Sequence, residues 1–499
     1  MVFSLLFLIS ACDDGFDELN TNEVDPTGID AAFILNNASI GLSHPGGTLV
    51  YDIGIVQYII SPNSGVLTGA NYNQDNRNST EGMWVDYYRS VIRHTRDVID
   101  QLADNPERSN LRQMARIVQA YAFMVLTDTY GDIPYTDGGL GYIDQIVLPA
   151  YDMQQNIYPS IIQELREAVS ALSASGRAEN SEVFYGGDVE KWKRLGNSLL
   201  VRAGMRLSKV DQAQAQQVVS AAATGVMQSN ADNWVVRHDN NYRNGFGATL
   251  NGTEANNYYL VSSFVDFLKN SNDPRLAAIA VRYVGAKSGP EQKSDIASND
   301  PDLQVGMPMG HDNNTIVGVA EQLGLASFYD FSQADRLRVV KVDAPMYLVT
   351  YAQTQLLLAE AAVRGWVSGP AETFFSNGVR AHMEQMADYD AGSSIAAEDI
   401  DAYLSANPFN SNDAIKQINE QYWVASFLNG PEAWANFRRS GYPDLSPNPF
   451  PSQDLTSEQF IRRLTYPSAE LGVNTNNVNE AIGRQGPDIL DTRVWWDKK

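Results

Sequence analysis

Cysteine is almost absent from this sequence of 499 residues, which contains only Cys12. A single thiol cannot form an internal disulfide bond, and there is no second cysteine for a thiolate metal site. Basic residues are also scarce, since 36 lysines and arginines stand against 60 aspartates and glutamates, and the formal net charge is −24. Such a charge repels phosphate backbones and anionic lipid surfaces. The composition argues against nucleic-acid partners and leaves neutral ligands open.

Motifs of the common catalytic sites are missing as well. The sequence contains no HExxH, GxSxG or GxxxxGK[ST] string. Gly245-Phe246-Gly247 lies in an Asn-rich stretch without the strand and helix of a dinucleotide site, so we interpret it as a turn. The histidines are too far apart in sequence for a local metal motif: His44, His94, His238, His311 and His382. With 60 acidic residues, some pair of carboxylates at glycosidase spacing arises by chance. We predict a protein that is not an enzyme and that holds no cofactor and no metal ion.

No apolar run reaches the roughly 18–20 residues that span a bilayer. The eleven residues before Cys12 are uncharged and end in the small residues Ser10 and Ala11. Small residues at this place are typical of signal-peptide cleavage. We predict that residues 1–11 are a lipoprotein signal peptide and that Cys12 becomes the acylated N-terminus. The alternative is a cytosolic protein with an apolar N-terminal strand, and it stays open because no Lys or Arg precedes the run.

Composition divides the rest of the chain into a tether and a body. Residues 12–30 are rich in Asp, Asn, Pro and Gly, and we predict that they form a flexible, lipid-anchored tether. Residues 31–499 are predicted to form a single domain, since a hydrophobic content of 43% and this length suffice for a large core. Within the domain, the segment at about 225–340 has many Asn, Asp and Gly residues. We predict that it is a loop-rich insert.

Apolar residues recur every three or four positions through much of the body, which is the period of a helix with one buried face. Three helical hairpins are predicted: about 84–102 with a helix starting at about 114, 152–174 with 188–209, and 343–365 with 370–388. A further helix covers about 411–428, and strands are expected only near 233–237 and 337–342. Repeated helix pairs are typical of tetratricopeptide scaffolds. The predicted fold is mainly α, with tetratricopeptide-like hairpins, long loops and a few short strands.

Six strings of residues occur in order over nearly the whole chain. They are CDDGFDELNTNEVDPT from Cys12, YGDIPY at 130–135, LAEAAVRGW at 358–366, EAWANFRRSGYP at 432–443, and RRLTYP at 462–467 with VWWDK at the end. Together they resemble the SusD/RagB family of outer-membrane nutrient-binding lipoproteins of Bacteroidetes. Most of these residues also have a structural interpretation. Gly131 suits a helix end with left-handed backbone, and Arg438 and Arg439 suit stacking on rings or pairing with carboxylates.

The resemblance implies a function, a partner and a location. SusD-like proteins lie over a TonB-dependent, SusC-like transporter and act as a hinged lid that delivers captured oligomers to it. The resemblance therefore implies a lipid-anchored protein of the outer membrane, facing the cell exterior, that captures oligosaccharides. Some members capture peptides, so a peptide ligand is an alternative. A tetratricopeptide-type scaffold that binds only proteins is another.

Two segments, 69–84 and 234–259, have the composition of a sugar-binding surface. A sugar offers an apolar CH face for ring stacking and hydroxyls for hydrogen bonding, which suits loop aromatics interleaved with Asn, Asp and Arg. The predicted ligand-binding residues are Tyr72, Arg77, Trp84, Trp234, Tyr242, Arg243, Phe246 and Tyr258. Four of them are expected to be exposed: Tyr72, Tyr242, Arg243 and Phe246. Trp84 and Tyr259 are expected to begin helices.

Overall fold

The structure is a computed structural model that describes residues 28–49, 51–63, 69–252, 254–452 and 454–499. The predicted signal peptide, the predicted lipidation site Cys12 and most of the predicted tether lie outside the described residues. Among the residues that are described, no helix combines the length and the hydropathy needed to cross a bilayer.

Most of the described body is helical, which confirms the predicted fold class. The helices are α1 Ala31–Ile40, α2 Asp52–Ile55, α3 Arg77–Thr80, α4 Gly82–Asp86, α5 Arg93–Gln101, α6 Ser109–Tyr130, α7 Gln154–Ala171, α8 Val189–Arg206, α9 Gln212–Ala222, α10 Gly245–Leu250, α11 Ser262–Asn270, α12 Arg275–Ile279, α13 Thr315–Gln322, α14 Tyr351–Val363, α15 Ala371–Tyr389, α16 Ala397–Ala406, α17 Ala414–Ala425, α18 Gly430–Ser440, α19 Ser468–Val473 and α20 Thr475–Gln485. A π-helical segment, Tyr87–Ile92, joins α4 to α5.

The three predicted helical hairpins are confirmed. α5 packs on α6, α7 packs on α8, and α14 packs on α15, while α17 lies against α14. α6 is buried along nearly its whole length and ends at Gly131, whose φ of +83° belongs to the region that favours glycine. A Cβ at Gly131 would lie 1.7 Å from Oε1 of Gln485, so this helix end is also closed by a residue of α20.

Side-chain caps set the start of two scaffold helices. Thr350 accepts a hydrogen bond from the backbone N–H of Gln353, whose side chain accepts one from the Thr350 N–H, and this capping box begins α14. Asp188 accepts from the backbone N–H groups of Glu190 and Lys191 at the start of α8. Both helices therefore begin where their sequence supplies an acceptor for free N–H groups.

The strands are short: β1 Ile59–Ile60, β2 Trp234–Val236, β3 Tyr259–Leu260, β4 Ala280–Tyr283, β5 Ala297–Ser298, β6 Gln333–Ala334 and β7 Met346–Val349. Among the described residues they form three small antiparallel sheets, with strand orders β1-β3, β2-β7 and β5-β4-β6. The strand predicted near 233–237 is confirmed as β2. The segment predicted as a loop-rich insert supplies β2 to β6 and the four short helices α10 to α13.

Three local predictions were wrong. No strand covers 337–342, because the N–H groups of Arg338 and Val340 both donate to the Asp335 carbonyl and coil the chain into turns. Gly245 to Gly247 begin α10 instead of forming a turn, since the Asn244 side chain caps two N–H groups there. Tyr259 begins β3, and the helix starts only at Ser262.

One hydrophobic core cluster extends from Ala31 near the N-terminus of the body to Trp496 near its C-terminus. Two smaller clusters lie mainly within the insert, one around Phe331 and one around Tyr283. That residues 31–499 form a single domain stays a prediction.

A buried ion pair joins two of the strings that carry the family resemblance. Glu360 of α14 accepts hydrogen bonds of 2.8 and 2.6 Å from Arg439 of α18, and both side chains are about 1% exposed. Asn419 and Asn436 complete the network. Burial alone would raise the pKa of Glu360, but Arg439 lowers it to about 2. The carboxylate is therefore charged inside the protein and depends on its partner.

A second buried network joins the C-terminus to the scaffold. Arg206 of α8 donates to Asp128 of α6 and to Glu432 of α18, at 3.0 and 2.6 Å. The indole N–H of Trp496 donates to the same Asp128 at 2.8 Å. Arg438 lies over the ring of Trp434, with 3.8 Å from its guanidinium carbon to the ring centroid. Arg438 and Arg439 thus stack and pair with a carboxylate as predicted.

Candidate functional site

The first predicted segment is mostly buried. The Tyr72 ring is 4% exposed and lies 4.4 Å from the Phe450 ring, and its hydroxyl donates to the Pro62 carbonyl at 3.0 Å. Burial raises the pKa of Tyr72 to about 12. The predicted exposure of Tyr72 was wrong, because a residue far along the chain covers its ring. Trp84 is also buried and makes an edge contact with the Tyr130 ring, at a centroid distance of 5.1 Å.

Arg77 is held by the C-terminal part of the chain. Its Nη1 donates to the Tyr466 carbonyl at 2.8 Å and to Oδ2 of Asp488 at 2.5 Å. Its guanidinium is therefore already paired in this structure. Ligand contact by Tyr72, Arg77 and Trp84 stays a prediction, and these contacts give each of them a structural role.

The second predicted segment is divided between core and surface. Trp234 is fully buried in β2 and Tyr258 is 5% exposed. Phe246 is 1% exposed, so its predicted exposure was wrong: the Asn244 cap starts α10 there, and the helix directs the ring inward. Tyr242 and Arg243 are exposed, as predicted.

Tyr242 is the one predicted aromatic residue that presents a large exposed fraction, 38%. Its ring stacks on His238 at 5.1 Å, and its hydroxyl donates to the Ile40 carbonyl at 2.7 Å. Burial lowers the pKa of His238, because it disfavours the charged imidazolium. These contacts hold the exposed ring in one position.

The second predicted segment ends in β3, which pairs with β1, a strand that precedes the first predicted segment. Ile59 lies opposite Leu260 and Ile60 lies opposite Tyr259 in an antiparallel pair. The pairing places the residues that follow β1 beside those that precede β3, although almost 200 positions separate them in sequence.

Three asparagines and a glutamate form a polar surface at this junction. The Asn63 side-chain amide donates to Oδ1 of Asn257 at 3.1 Å, and the Asn257 amide donates to Oε2 of Glu254 at 2.7 Å. Asn256 lies beside them in sequence. Its side chain packs closely on Gly289, because a Cβ at Gly289 would lie 2.5 Å from Nδ2 of Asn256. All four side chains are partly exposed. We call Asn63, Glu254, Asn256 and Asn257 the amide surface.

Residues from two other loops lie near the buried Tyr72 ring beside this surface. Asp312 lies close enough to contribute to the raised pKa of Tyr72. Gly310 adopts a φ of +88° and packs against Pro449, next to Phe450. The amide surface therefore borders a structured loop cluster.

A separate cleft of about 500 Å³ opens beside β2. Its polar lining residues are Tyr185, Lys191, Asn230, Asn233, Arg237 and Asp388. Arg237 and Asp388 form an exposed ion pair at 3.1 Å, and Lys191 lies 5.8 Å from the centroid of the Tyr185 ring. Ile40, which accepts from the Tyr242 hydroxyl, lines the same cleft. We call it the β2 cleft.

Asn63 lies outside both predicted segments, and Glu254 lies in the second segment but was not among the predicted ligand-binding residues. Sequence reasoning included Asn256 and Asn257 in a candidate segment but chose the neighbouring aromatic rings as ligand contacts. The Pro62-Asn63 step and the adjacent pair Asn256-Asn257 were the available signals, because such residues favour turns with exposed amides. No group of three or more potential metal-ligating side chains occurs among the described residues.

A family model described as SusD-like, "starch-binding associating with outer membrane", matches residues 23–467. The chain belongs to the SusD-like family. The matched range includes Glu360 and Arg439, which form a buried ion pair, so these residues belong to the scaffold of this SusD-like protein.

Solved structures support the same assignment. A chitin-binding protein shares 30% identity with a TM-score of 0.83, over 94% of this chain and all of that one. A SusD-like protein of Bacteroidetes shares 26% identity with a TM-score of 0.82, again over 94% of this chain and all of that one. A SusD homologue from Bacteroides uniformis, at 24% identity and a TM-score of 0.75 over 95% of this chain and all of that one, is similar in fold. A search of curated protein sequences gives no match.

Proposed function

We propose that this SusD-like protein captures neutral oligosaccharides at the cell surface and delivers them to a TonB-dependent, SusC-like transporter. The observation that carries the proposal is the match of residues 23–467 to a family described as starch-binding, together with a 30% identical chitin-binding protein. The amide surface provides a site for the ligand.

The chemistry of the amide surface suits a neutral sugar. Each asparagine side chain offers two N–H donors and an acceptor, and Glu254 adds acceptors only, so the group matches pairs of hydroxyls that both donate and accept. Since these side chains bond to one another while partly exposed, a ligand hydroxyl can replace one of these hydrogen bonds with another. The net charge of −24 disfavours anionic glycans.

Anchoring and delivery complete the proposal. We propose that Cys12 carries the lipid, that residues 12–30 tether the body to the outer membrane, and that the body faces the cell exterior. A lid over a transporter needs two positions, and a ligand shifts their equilibrium only by its difference in affinity for them. The proposal includes capture without turnover.

The test is calorimetric titration of the body with maltoheptaose and with chitohexaose, the oligomers that correspond to the starch and chitin of the matched proteins. We expect one of them to bind, and the Asn257→Ala variant to weaken that binding about fivefold to tenfold, because a partly exposed hydrogen-bonding group is lost. Asn180→Ala is the matched control, since Asn180 is exposed and makes no hydrogen bond with another described residue.

Two results would contradict this proposal. Absence of binding with both glycans would remove the starch and chitin assignments, and unchanged affinity in Asn257→Ala would remove the amide surface as the site. New reducing ends after incubation of the protein with its glycan would show turnover and would contradict the role of pure capture.

A peptide ligand is the second candidate, and the β2 cleft favours it. Among the described strands, β2 pairs only with β7, so its other edge has no strand partner that could exclude an extended backbone, and Val235 and Val236 of β2 line the cleft. Val183, on the cleft wall, is 57% exposed. If extended peptides bind and Val183→Glu abolishes their binding while Asn257→Ala does not, the peptide function takes precedence.

A further inference from the structure

A second surface with the chemistry of sugar recognition lies on the loop between α6 and α7. Tyr142 of this loop is 87% exposed, which is the largest exposed fraction among the large hydrophobic residues described. Val147 and Leu148, on the same loop, are 78% and 51% exposed. Exposed apolar side chains that are clustered in this way mark interaction sites more often than single ones.

The loop is anchored along its length by hydrogen bonds. Arg96 of α5 donates to the carbonyls of Tyr135, Thr136 and Gly138, at 2.7, 3.1 and 3.2 Å. Asn477 of α20 donates to the Leu148 carbonyl at 3.0 Å. The scaffold therefore holds the loop at both ends.

The loop also packs closely on the helix beneath it. Gly139 has a φ of +82°, and a Cβ at this position would come within 2.8 Å of a methyl group of Ile92. Asp137 accepts from the Ala150 N–H at 3.2 Å and closes the loop on itself. Tyr142 is thus displayed on a supported backbone, which is how binding residues are commonly presented.

A cleft of about 290 Å³ lies between Tyr142 and α5. Arg93, His94 and Asp97 line it from the helix, and Tyr142 and Ile143 line it from the loop. We call it the Tyr142 cleft. It shares no lining residue with the amide surface or with the β2 cleft.

The two charged residues of this cleft, Arg93 and Asp97, do not form an ion pair with each other. Arg93 and Asp97 are four positions apart on one helix, a spacing at which such residues often pair. Within the described part of the chain, however, no ion pair joins Arg93 to Asp97 or to any other carboxylate. Arg93 makes one hydrogen-bond contact, at 3.2 Å to the ring of His94, and Asp97 accepts one from Gln101. Guanidinium donors and carboxylate acceptors both remain available to a ligand.

We propose that the Tyr142 cleft is a second carbohydrate-binding site, which takes one or two sugar units of the captured oligosaccharide. The Tyr142 ring supplies a stacking face for the CH groups of a sugar, Arg93 donates to its hydroxyls, and Asp97 accepts from them. The site carries one positive and one negative charge, which suits a neutral ligand, and its volume is at the lower end for ligand pockets. This inference rests on the proposed function.

Hydrogen exchange combined with titration tests the site directly. With whichever of maltoheptaose or chitohexaose binds, we expect slower amide exchange at 138–148 and 93–97 in addition to the amide surface. Tyr142→Ala should abolish protection at the loop and weaken binding about threefold to tenfold, because ring stacking is lost. Arg93→Gln should also remove the loop protection, since it removes the guanidinium and its charge while keeping a polar side chain.

Val147→Ala is the control in the same loop, since Val147 is also highly exposed but does not line the cleft. Val147→Ala should change neither the affinity for the glycan nor the protection of the loop from hydrogen exchange. Neither Val147→Ala nor Tyr142→Ala should lower the unfolding midpoint. If Val147→Ala weakens binding as much as Tyr142→Ala, the loop is a broad apolar contact and the inference is overturned. Glycan binding with protection only at the amide surface, and with unchanged affinity in Tyr142→Ala, overturns the inference and leaves the proposed function standing. Absence of glycan binding by the natural protein overturns both.

Discussion

Glu360 and Asn257 are both hydrogen-bonded polar side chains, but they lie in different settings. Glu360 is fully buried with Arg439, Asn419 and Arg364 as partners, and its charge is maintained by them. Asn257 is partly exposed, is neutral, and bonds to two side chains of the amide surface. The buried network joins helices that are distant in sequence, whereas the amide surface joins two loop segments.

The difference follows from the cost of losing a partner. A buried charge without its partner keeps its full desolvation penalty, so the network fixes one arrangement of the helices. A partly exposed amide that loses its partner is hydrated at small cost, so it can exchange that partner for a ligand. We infer that the buried network constrains the sequence strings in which its residues lie. The partly exposed amide surface is under no such constraint, so its residues are free to differ with the ligand.

Breaking the buried pair should have the largest effect on stability. Arg439→Ala leaves the buried Glu360 carboxyl without its main partner, and we expect a loss of about 3–5 kcal/mol in the free energy of unfolding, measured in urea. The control is Arg380→Ala, because Arg380 pairs with Asp401 at an exposed site and its loss should cost about 1 kcal/mol or less. Equal losses in the two variants would show that the buried network is not the stabilising element.

Asp52 sharpens the comparison, because it is a buried acid that lacks such a partner. Its Oδ1 makes no hydrogen bond in the described structure, and burial raises its pKa to about 7, with Arg438 opposing this only in part. The unfolded chain ionises near pH 4 and the folded one near pH 7, so stability falls as the pH rises through this interval. The Asp52→Asn variant should not show this loss of stability. Above pH 7 its free energy of unfolding should exceed that of the natural protein by up to about 4 kcal/mol.

The measurement is the free energy of unfolding of both proteins at several pH values from 4 to 8. The two curves should coincide near pH 4, where Asp52 is protonated in both states, and should separate as the pH rises. A constant difference across the range would mean that the substitution acts through packing and that the titration of Asp52 contributes nothing.

The sequence was informative where the determinants of structure were local. Apolar periodicity predicted the three hairpins, and Gly131 predicted the end of α6. The burial of Tyr72 depends on Phe450, which lies 378 positions away, and an Asn-rich neighbourhood gave no sign of it. The amide surface depends on two strands of two residues each, which are too short to show an alternating pattern. Side-chain direction at these sites is set by distant contacts.

Two tyrosines give the smallest test of the same contrast. Tyr72 and Tyr242 each donate one hydroxyl hydrogen bond to a backbone carbonyl, at 3.0 and 2.7 Å. Tyr72→Phe leaves the Pro62 carbonyl without this donor at a buried position, and we expect a cost of about 1–2 kcal/mol in the free energy of unfolding. Tyr242→Phe removes a bond at a residue that is 38% exposed, so water replaces the hydroxyl and the cost should stay within about 0.5 kcal/mol. If Tyr242→Phe cost as much as Tyr72→Phe, the ring at the rim of the β2 cleft would be part of the scaffold, and Tyr242 would lose its place among the candidates for ligand contact.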